Sequence, residues 1–111
     1  MNWIPLETEQ QVEEIKAGSF RSPQVIFKHS IRCGTSSMAK NRLEREETPE
    51  GVDFYFLDVI RHRRVSDKVA AAFGIRHESP QILIIENGIC RYNESHYAID
   101  MSGIKGNVTR V

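Results

Sequence analysis

Apolar residues recur at helical spacing in three stretches of the chain, and each stretch predicts a helix. In "LETEQQVEEIKAG", Thr8 and Gln11 have the spacing of a capping box, and Gly18 is expected to end the helix. In "RHRRVSDKVAAAFGI", Ser66 is the expected N-cap and Gly74 the expected stop. The middle helix is expected in "SSMAKNRLERE", with inward positions at Met38, Ala39 and Leu43.

Strands are expected between these helices and after the third. "PQVIFKH", which Pro23 opens, is a continuous apolar run typical of a strand buried on both faces. "VDFYFLDVI" has strong β-propensity. In "SPQILIIENGICRYNESHYAI", the Asn87-Gly88 pair between apolar runs predicts a β-hairpin. The tail, "SHYAIDMSGIKGNVTRV", is weakly helical at best.

This order of elements predicts an α/β fold with a central mixed sheet of about four strands flanked by helices. The first two strands are expected to be parallel and joined by a right-handed crossover. The chain has 111 residues and shows no linker, repeat or low-complexity segment, so a single domain over residues 1–111 is predicted.

Composition excludes several classes of function. The 15 basic and 15 acidic residues balance, so neither a nucleic acid nor an anionic membrane is an expected partner. No apolar run reaches membrane-spanning length, and the first residues lack the features of a signal peptide. Only two cysteines are present and they lie far apart, which favours a reducing, cytoplasmic location. The histidines and cysteines lack the spacing of metal ligands, so no metal is expected.

Cys33 is the first candidate for chemistry, because it lies between a buried strand and the start of a helix. The free N–H groups at a helix N-terminus stabilise a thiolate, which is the reactive form of cysteine. Ser36 stands where a second redox cysteine would complete C-x-x-C, and its hydroxyl is expected to cap the helix or hydrogen-bond the thiolate. A serine cannot resolve a mixed disulfide, so an external thiol must do so. The nearby cationic positions are Lys28, His29 when protonated, Arg32 and Lys40.

Cys33 has two other possible interpretations. A buried, inert cysteine is common, but the polar flanks in "KHSIRCGTSS" favour a reactive one. A cysteine phosphatase requires an arginine six positions after the nucleophile, where Ala39 stands, so that class is rejected. Cys90 is either a distal resolving cysteine or a small core residue on the same strand face as Tyr92, and the core role is favoured.

Two further segments are expected near Cys33. If the Ser79-Pro80 bond is cis, the backbone of Ser79 can pair with an extended substrate, although trans is the commoner state of an X–Pro bond. "RHRRVSDK" follows the second strand, whose end is expected at the same sheet edge as Cys33. Its arginines either bind the carboxylates of an anionic thiol or form a solvated charge run. These arginines are Arg61, Arg63 and Arg64.

With these residues in place, "KHSIRCGTSSMA" resembles the K-H-S-x-x-C-x-x-S-x-x-A motif of the YtxJ family of monothiol bacilliredoxin-like proteins. The order of elements resembles the thioredoxin fold, and "ESHYAI" resembles the family's C-terminal S-H-aromatic segment. Gly34 departs from the family pattern, because proline is expected there, and glycine loosens the start of the helix. The matching residues are Lys28, His29, Ser30, Cys33, Ser36 and Ala39.

The resemblance implies a cytoplasmic thiol–disulfide oxidoreductase with no resident cofactor. Its co-substrate would be bacillithiol or another low-molecular-weight thiol, and its partners would be S-thiolated proteins. Cys33 would take the small thiol from the protein, with Pro80 as the cis-proline. Substrate contacts are expected at His29, Gly34, Thr35, Ser79, Pro80, Arg63 and Arg64. Two alternatives remain: a redox-sensing or thiol-carrying binding module whose Cys33 is capped without turnover, and a thioredoxin-like domain with an unreactive thiol.

Overall fold

The computed structural model describes residues 1–108, which form a five-stranded mixed sheet with helices on both faces. The strands are β1 (Trp3–Pro5), β2 (Gln24–His29), β3 (Asp53–Asp58), β4 (Gln81–Glu86) and β5 (Ile89–Ser95). The helices are α1 (Glu9–Gly18), α2 (Gly34–Glu44), α3 (Arg63–Phe73) and α4 (Met101–Asn107), and a 3₁₀ turn spans His96–Ala98. The predicted α/β class and parallel first pair of long strands are confirmed, since β2 and β3 are parallel.

The sheet has the order β1-β3-β2-β4-β5, and its register brings four chain segments to one edge. His29 at the end of β2 pairs with Asp58 at the end of β3. Gln81 at the start of β4 pairs with Lys28 on one side and Ser95 on the other. We call this the Cys33 edge, because the chain leaves β2 there and reaches Cys33 four residues later.

Two apolar layers cover the faces of the sheet, and β2 and β4 are buried along their whole length. This explains their continuous apolar runs, since a strand covered on both faces needs no polar alternation. One layer carries α1 and α3, and the other carries α2 and α4. The first layer includes Val12, Ile15, Val65 and Val69. The second includes Ala39, Leu43, Met101 and Ile104.

The sequence pattern missed β1 and α4. Strand β1 has only three residues and pairs in parallel with β3, and the Trp3 ring stacks on Phe27 at 5.5 Å. Helix α4 contains two glycines, which lower intrinsic helix propensity. A Cβ at Gly103 would lie 2.7 Å from the Tyr92 hydroxyl, so a larger residue there would require the Tyr92 side chain to shift. Positions 109–111 of the predicted tail lie outside the described residues.

Three local predictions were wrong. Helix α3 begins at Arg63 after His62, so Ser66 is buried inside its first turn and does not cap it. Met38 is 55% exposed, and Ser36 is buried in its place on the inner face of α2. A β-bulge between Ile84 and Ile85 breaks the alternation of β5, so Tyr92 and Cys90 pack on opposite faces of the sheet.

Other local predictions are confirmed. The capping box of α1 is present, with the Thr8 hydroxyl accepting from the Gln11 N–H and the Gln11 side chain accepting from the Thr8 N–H. Asn87 and Gly88 have φ of 53° and 79°, as the predicted Asn-Gly hairpin turn requires. Across residues 1–108, every helix is too short or too polar to cross a bilayer.

Candidate active site

Cys33 is the N-cap residue of α2, and its thiol is free and half-buried. Its carbonyl accepts hydrogen bonds from the N–H groups of Ser36 and Ser37, at 3.1 and 3.2 Å. Its side chain makes no capping hydrogen bond. The N–H groups of Gly34 and Thr35 therefore belong to the first turn, where helices lack internal partners. These two N–H groups and the helix dipole favour negative charge beside the sulfur.

The Ser36 hydroxyl holds the polypeptide loop that precedes Cys33. Its Oγ accepts from the Ser30 N–H at 3.0 Å and shares a 2.7 Å hydrogen bond with Nδ1 of His29. Ser36 is fully buried and His29 is 5% exposed. The Ser30 carbonyl in turn accepts from the Cys33 N–H at 3.1 Å. Ser36 thus ties the active loop to the end of β2, and neither of these hydrogen bonds caps α2.

His29 is a neutral partner in this network. Burial lowers the pKa of His29 below its usual 6.5, and the charge of Lys40 lowers it further. The imidazole also packs on the Phe56 ring at 5.2 Å. Near neutral pH it therefore acts as a hydrogen-bonding group, so the expectation that a protonated His29 supports the thiolate is not supported.

Lys28 points away from Cys33, contrary to the expectation that it would help the thiolate. Alternate residues of β2 face opposite sides of the sheet, so His29 faces the layer of α2 and Lys28 faces the layer of α3. The Lys28 side chain is fully buried, and its Nζ lies 3.2 Å from the Ser66 carbonyl and 3.1 Å from His77 Nδ1. Burial lowers the pKa of Lys28 to about 8.

A Lys28→Met variant is expected to be more stable than the wild type at pH 7. Methionine removes a buried charge, and His77 Nδ1 keeps the Ser66 hydroxyl at 3.1 Å as a partner. We expect a gain of about 1 kcal/mol in the free energy of unfolding. Between pH 8 and 10.5 the unfolded lysine still binds a proton that the folded one has lost. Wild-type stability therefore rises over that range and the gain from methionine shrinks.

Urea unfolding of both proteins at pH 7 and pH 9.5 measures this difference. Lys68→Met is the matched control, because Lys68 is a partly exposed lysine that pairs with Glu13 on the same layer of helices. A Lys28→Met protein that is less stable at pH 7, or a stability difference that does not change with pH, contradicts the account.

The loop that ends at Pro80 reaches the Cys33 edge at the start of β4. The Ser79–Pro80 bond is cis, as the family resemblance implies and against the ordinary preference for trans. Lys28 pairs with Gln81, so Pro80 lies opposite His29 at the Cys33 edge. Among the described residues, the buried side-chain atoms without a hydrogen-bond partner are Ser79 Oγ and Gln81 Oε1, which flank this proline.

The His96–Ala98 turn closes the same edge, although the sequence analysis assigned no role to it. The His96 N–H donates to the Pro80 carbonyl at 3.1 Å, and the Tyr97 hydroxyl lies 3.5 Å from Thr35 Oγ1. The turn belongs to the segment "ESHYAI", which the family resemblance alone connects with the site. Its position near Cys33 follows from the pairing of β5 with β4, which brings the end of β5 to the start of β4.

Arg63 and Arg64 reach the predicted edge but lie on the other face of the sheet. They begin α3, whereas Cys33 begins α2, and these helices cover opposite faces. With Arg61 they line a surface cleft of about 430 Å³ whose other described residues include Glu7 and Glu9 of the α1 segment. Neither Cys33 nor Pro80 is among the described lining residues, so the placement favours a solvated charge run over a thiol-binding role.

Cys90 lies at the opposite end of the molecule. Cys90 pairs with Ile85, and Ile85 pairs with Gln24 at the start of β2. Gln24 lies about 16 Å along the strand from His29, at 3.3 Å per residue. The Cys90 thiol donates to the Tyr92 carbonyl at 3.3 Å. Burial raises the pKa of Cys90, which disfavours the nucleophilic thiolate. The core role that the sequence favoured agrees with this placement.

Cys90→Ser is expected to leave thiol–disulfide exchange within about twofold of the wild type. The variant keeps a small polar side chain at a site remote from Cys33, so only local packing changes. The measurement is the rate of thiol release from a mixed disulfide by each protein. A variant that accepts the small thiol and then stalls would mean that Cys90 resolves the intermediate.

The comparisons with known proteins agree with this architecture. The chain matches the family model described as "Monothiol bacilliredoxin BrxC" over residues 4–104. It is similar to a solved thioredoxin-fold protein provisionally described as an oxidoreductase, with a TM-score of 0.78, 29% identity, and coverage of 93% of this chain and 90% of that chain. It is also similar to the thioredoxin of Malassezia sympodialis, with a TM-score of 0.72, 21% identity, and coverage of 95% and 86%.

A variant thioredoxin from Halobacterium salinarum gives a TM-score of 0.70 at 15% identity, covering 97% of this chain and 92% of that chain. At such identities the two thioredoxins show the fold alone, which is the thioredoxin fold. The family match shows more than the fold, because it spans nearly the whole chain, from β1 to the middle of α4, and includes Cys33. The chain therefore belongs to the monothiol bacilliredoxin BrxC family.

Proposed function

We propose that this protein is a monothiol thiol–disulfide oxidoreductase that removes a small thiol from protein mixed disulfides through Cys33. The observation that carries the proposal is the half-exposed free thiol at the N-cap of α2, with a serine at the position of a resolving cysteine. The hydroxyl of that serine, Ser36, is committed to His29 and Ser30. Cys33 is thus left as a single nucleophile that needs an external thiol to be regenerated.

The reaction consists of two thiol–disulfide exchanges. The Cys33 thiolate attacks the sulfur of the small thiol, the bond between that sulfur and the protein cysteine breaks, and the protein leaves as a thiolate that takes a proton from water. A second small-thiol thiolate then attacks the small-thiol sulfur bound to Cys33. This step releases the Cys33 thiolate and forms the symmetric disulfide of the small thiol. Overall, one free small thiol is oxidised to the disulfide level while the protein cysteine returns to the thiol level, and the sulfur taken from the protein stays at the disulfide level throughout.

The residues around Cys33 provide for this chemistry. The N–H groups of Gly34 and Thr35 stabilise negative charge on the sulfur as it attacks and as it leaves. Strand β4 begins only at Gln81, so the backbone of Ser79 lies before the sheet ladder and is available to pair with an extended substrate.

The small thiol and the location follow from the family and from the chemistry of the site. We propose bacillithiol, or a related low-molecular-weight thiol, as the co-substrate, and S-thiolated proteins as the partners. A reaction that consumes free thiols requires a reducing compartment, and the two cysteines of this chain are both free, which supports the cytoplasm. The exchange needs no resident cofactor or metal.

The test is multiple turnover with a test protein that carries bacillithiol on one cysteine. Catalytic amounts of the wild type with excess free bacillithiol are expected to release the protein thiol many times per molecule of enzyme. The same test protein carrying glutathione identifies the preferred small thiol. A single round of transfer that excess thiol does not complete would favour the sensing or carrying module, and no transfer at all would favour the unreactive domain.

A further inference from the structure

The His96–Ala98 turn is held to both sides of the Cys33 site. Toward the Pro80 loop, the His96 N–H donates to the Pro80 carbonyl at 3.1 Å, and His96 Nε2 lies 3.0 Å from Glu78 Oε1. Toward α2, the Tyr97 hydroxyl lies 3.5 Å from Thr35 Oγ1, and Arg42 Nη1 donates to the Tyr97 carbonyl at 3.3 Å. The turn therefore spans the gap between the Pro80 loop and the helix that carries Cys33.

The backbone of this turn is unusual. His96 has φ of 58°, a left-handed conformation that is uncommon for a residue other than glycine. Such residues persist where surrounding contacts hold them, and they cluster at sites of function. Here the contacts with Glu78 and Pro80 hold His96, and the chain then turns so that Tyr97 follows the side of α2.

Tyr97 is 73% exposed in spite of these contacts. Its hydroxyl and its carbonyl reach Thr35 and Arg42, which are seven residues apart and share one face of α2. Met38 lies on that face between them and is 55% exposed. Tyr97 and Met38 therefore both expose apolar side-chain atoms along the side of α2 that starts at Cys33 and extends about 8 Å to Met38 at 1.5 Å per residue, while the Arg42 guanidinium beyond them is bonded to the carbonyls of Tyr97 and Ile99. We call the two exposed side chains, Tyr97 and Met38, the Tyr97 patch.

We propose that the Tyr97 patch determines which protein mixed disulfides are accepted, by binding an apolar side chain close to the S-thiolated cysteine of the partner polypeptide. The proposal rests on the proposed function and names its substrate class. Tyr97 acts as a specificity-determining residue through its ring, and the contacts of His96 with Glu78 and Pro80 keep the ring in place.

Charge and reach favour the polypeptide half of the disulfide as the occupant. A low-molecular-weight thiol is small and polar, and it gains little from contact with the apolar side chains of a methionine and an aromatic ring. A polypeptide continues past its cysteine at about 3.3 Å per residue, so its second or third neighbouring residue reaches the far end of the patch. Aromatic residues and the adaptable methionine side chain are suited to such contacts.

The test uses one small thiol on three partners: a peptide with leucines beside its cysteine, the same peptide with serines, and free cysteine. Tyr97→Ala is expected to lower kcat/KM about tenfold for the leucine peptide and to leave the other two within about twofold. Tyr97→Phe keeps the ring and is expected to keep the preference. Phe20→Ala is the control, since Phe20 is 63% exposed and lies beside Gly88 at the other end of the sheet.

Binding of the same peptides, which carry the small thiol on their cysteine, is also measured with a Cys33→Ala protein that cannot exchange. This measurement reports on the patch even if the proposed function fails. The leucine peptide is expected to bind about tenfold more weakly when Tyr97→Ala is added. Equal losses with all three partners would assign Tyr97 to the small thiol or to the shape of the site, and would overturn the proposal. Unchanged binding and kinetics with the leucine peptide would overturn it as well.

Discussion

Cys33→Ser is expected to abolish removal of the small thiol from the test protein, with a loss of at least about 1,000-fold in rate. A serine hydroxyl is neither an effective nucleophile toward sulfur at neutral pH nor able to hold the small thiol as a disulfide. The change is nearly isosteric at a half-buried N-cap, and serine is a favourable N-cap residue. Folding is therefore expected to be preserved, so the loss reports on chemistry alone.

The control for this prediction is Cys90→Ser, which makes the same substitution at the remote cysteine. Circular dichroism and urea unfolding establish that both variants fold, and thiol release is followed with each. Retention of more than a tenth of the wild-type rate by Cys33→Ser, or an equal loss in Cys90→Ser, would contradict the assignment of Cys33 as the nucleophile.

Ser36→Ala is expected to lower both stability and exchange, because the buried hydroxyl joins the partly buried Ser30 N–H to the buried His29 ring. Removing it leaves the Ser30 N–H and the His29 Nδ1 without this partner. A buried polar group that loses its partner costs about 1–3 kcal/mol, so we expect the free energy of unfolding to fall by about 2 kcal/mol. The loop to Cys33 loses its anchor, and a tenfold slower exchange is expected, of the order that misplacing a reacting group produces.

The matched control is Ser37→Ala. Ser37 is the next residue of α2, and its side chain is exposed. Urea unfolding and the rate of Cys33 alkylation by iodoacetamide at pH 7 are measured for both variants, since alkylation reports on the thiol without a protein substrate. Equal, small effects in the two variants would mean that Ser36 merely fills space where a second cysteine could stand.

The sequence predicted the long elements because each has a strong local pattern. The buried run of β2, the Thr8–Gln11 capping box and the Asn-Gly turn are set by neighbours in sequence. Strand β1 and helix α4 lack such a local pattern, because they are stabilised by contacts with residues distant in sequence. Trp3 needs Phe27 to stack on, and α4 overcomes its glycines by burying Met101 and Ile104.

The sequence predicted which chain segments reach the candidate site better than it predicted the side-chain positions within it. The arginines after the second strand were predicted at the edge of Cys33 because parallel strands end at the same edge, whereas the family resemblance implied the place of Pro80 in the site. The sequence could not tell which face of the sheet each side chain serves. Lys28 was expected at the thiol and lies on the α3 side, and Arg63 begins a helix that covers that same side. The role of Ser36 as an anchor depends on its direction of burial, which the motif C-x-x-S does not specify.

The measurement that tests the central claim most directly is a peptide-mass analysis of both proteins. The wild type is first mixed in equimolar amount with a bacillithiol-modified test protein, with no other thiol present. The account predicts that the mass of the small thiol moves to the peptide that contains Cys33 and that the test protein regains a free thiol. Mass that stays on the test protein, or that appears on the peptide containing Cys90, would contradict it.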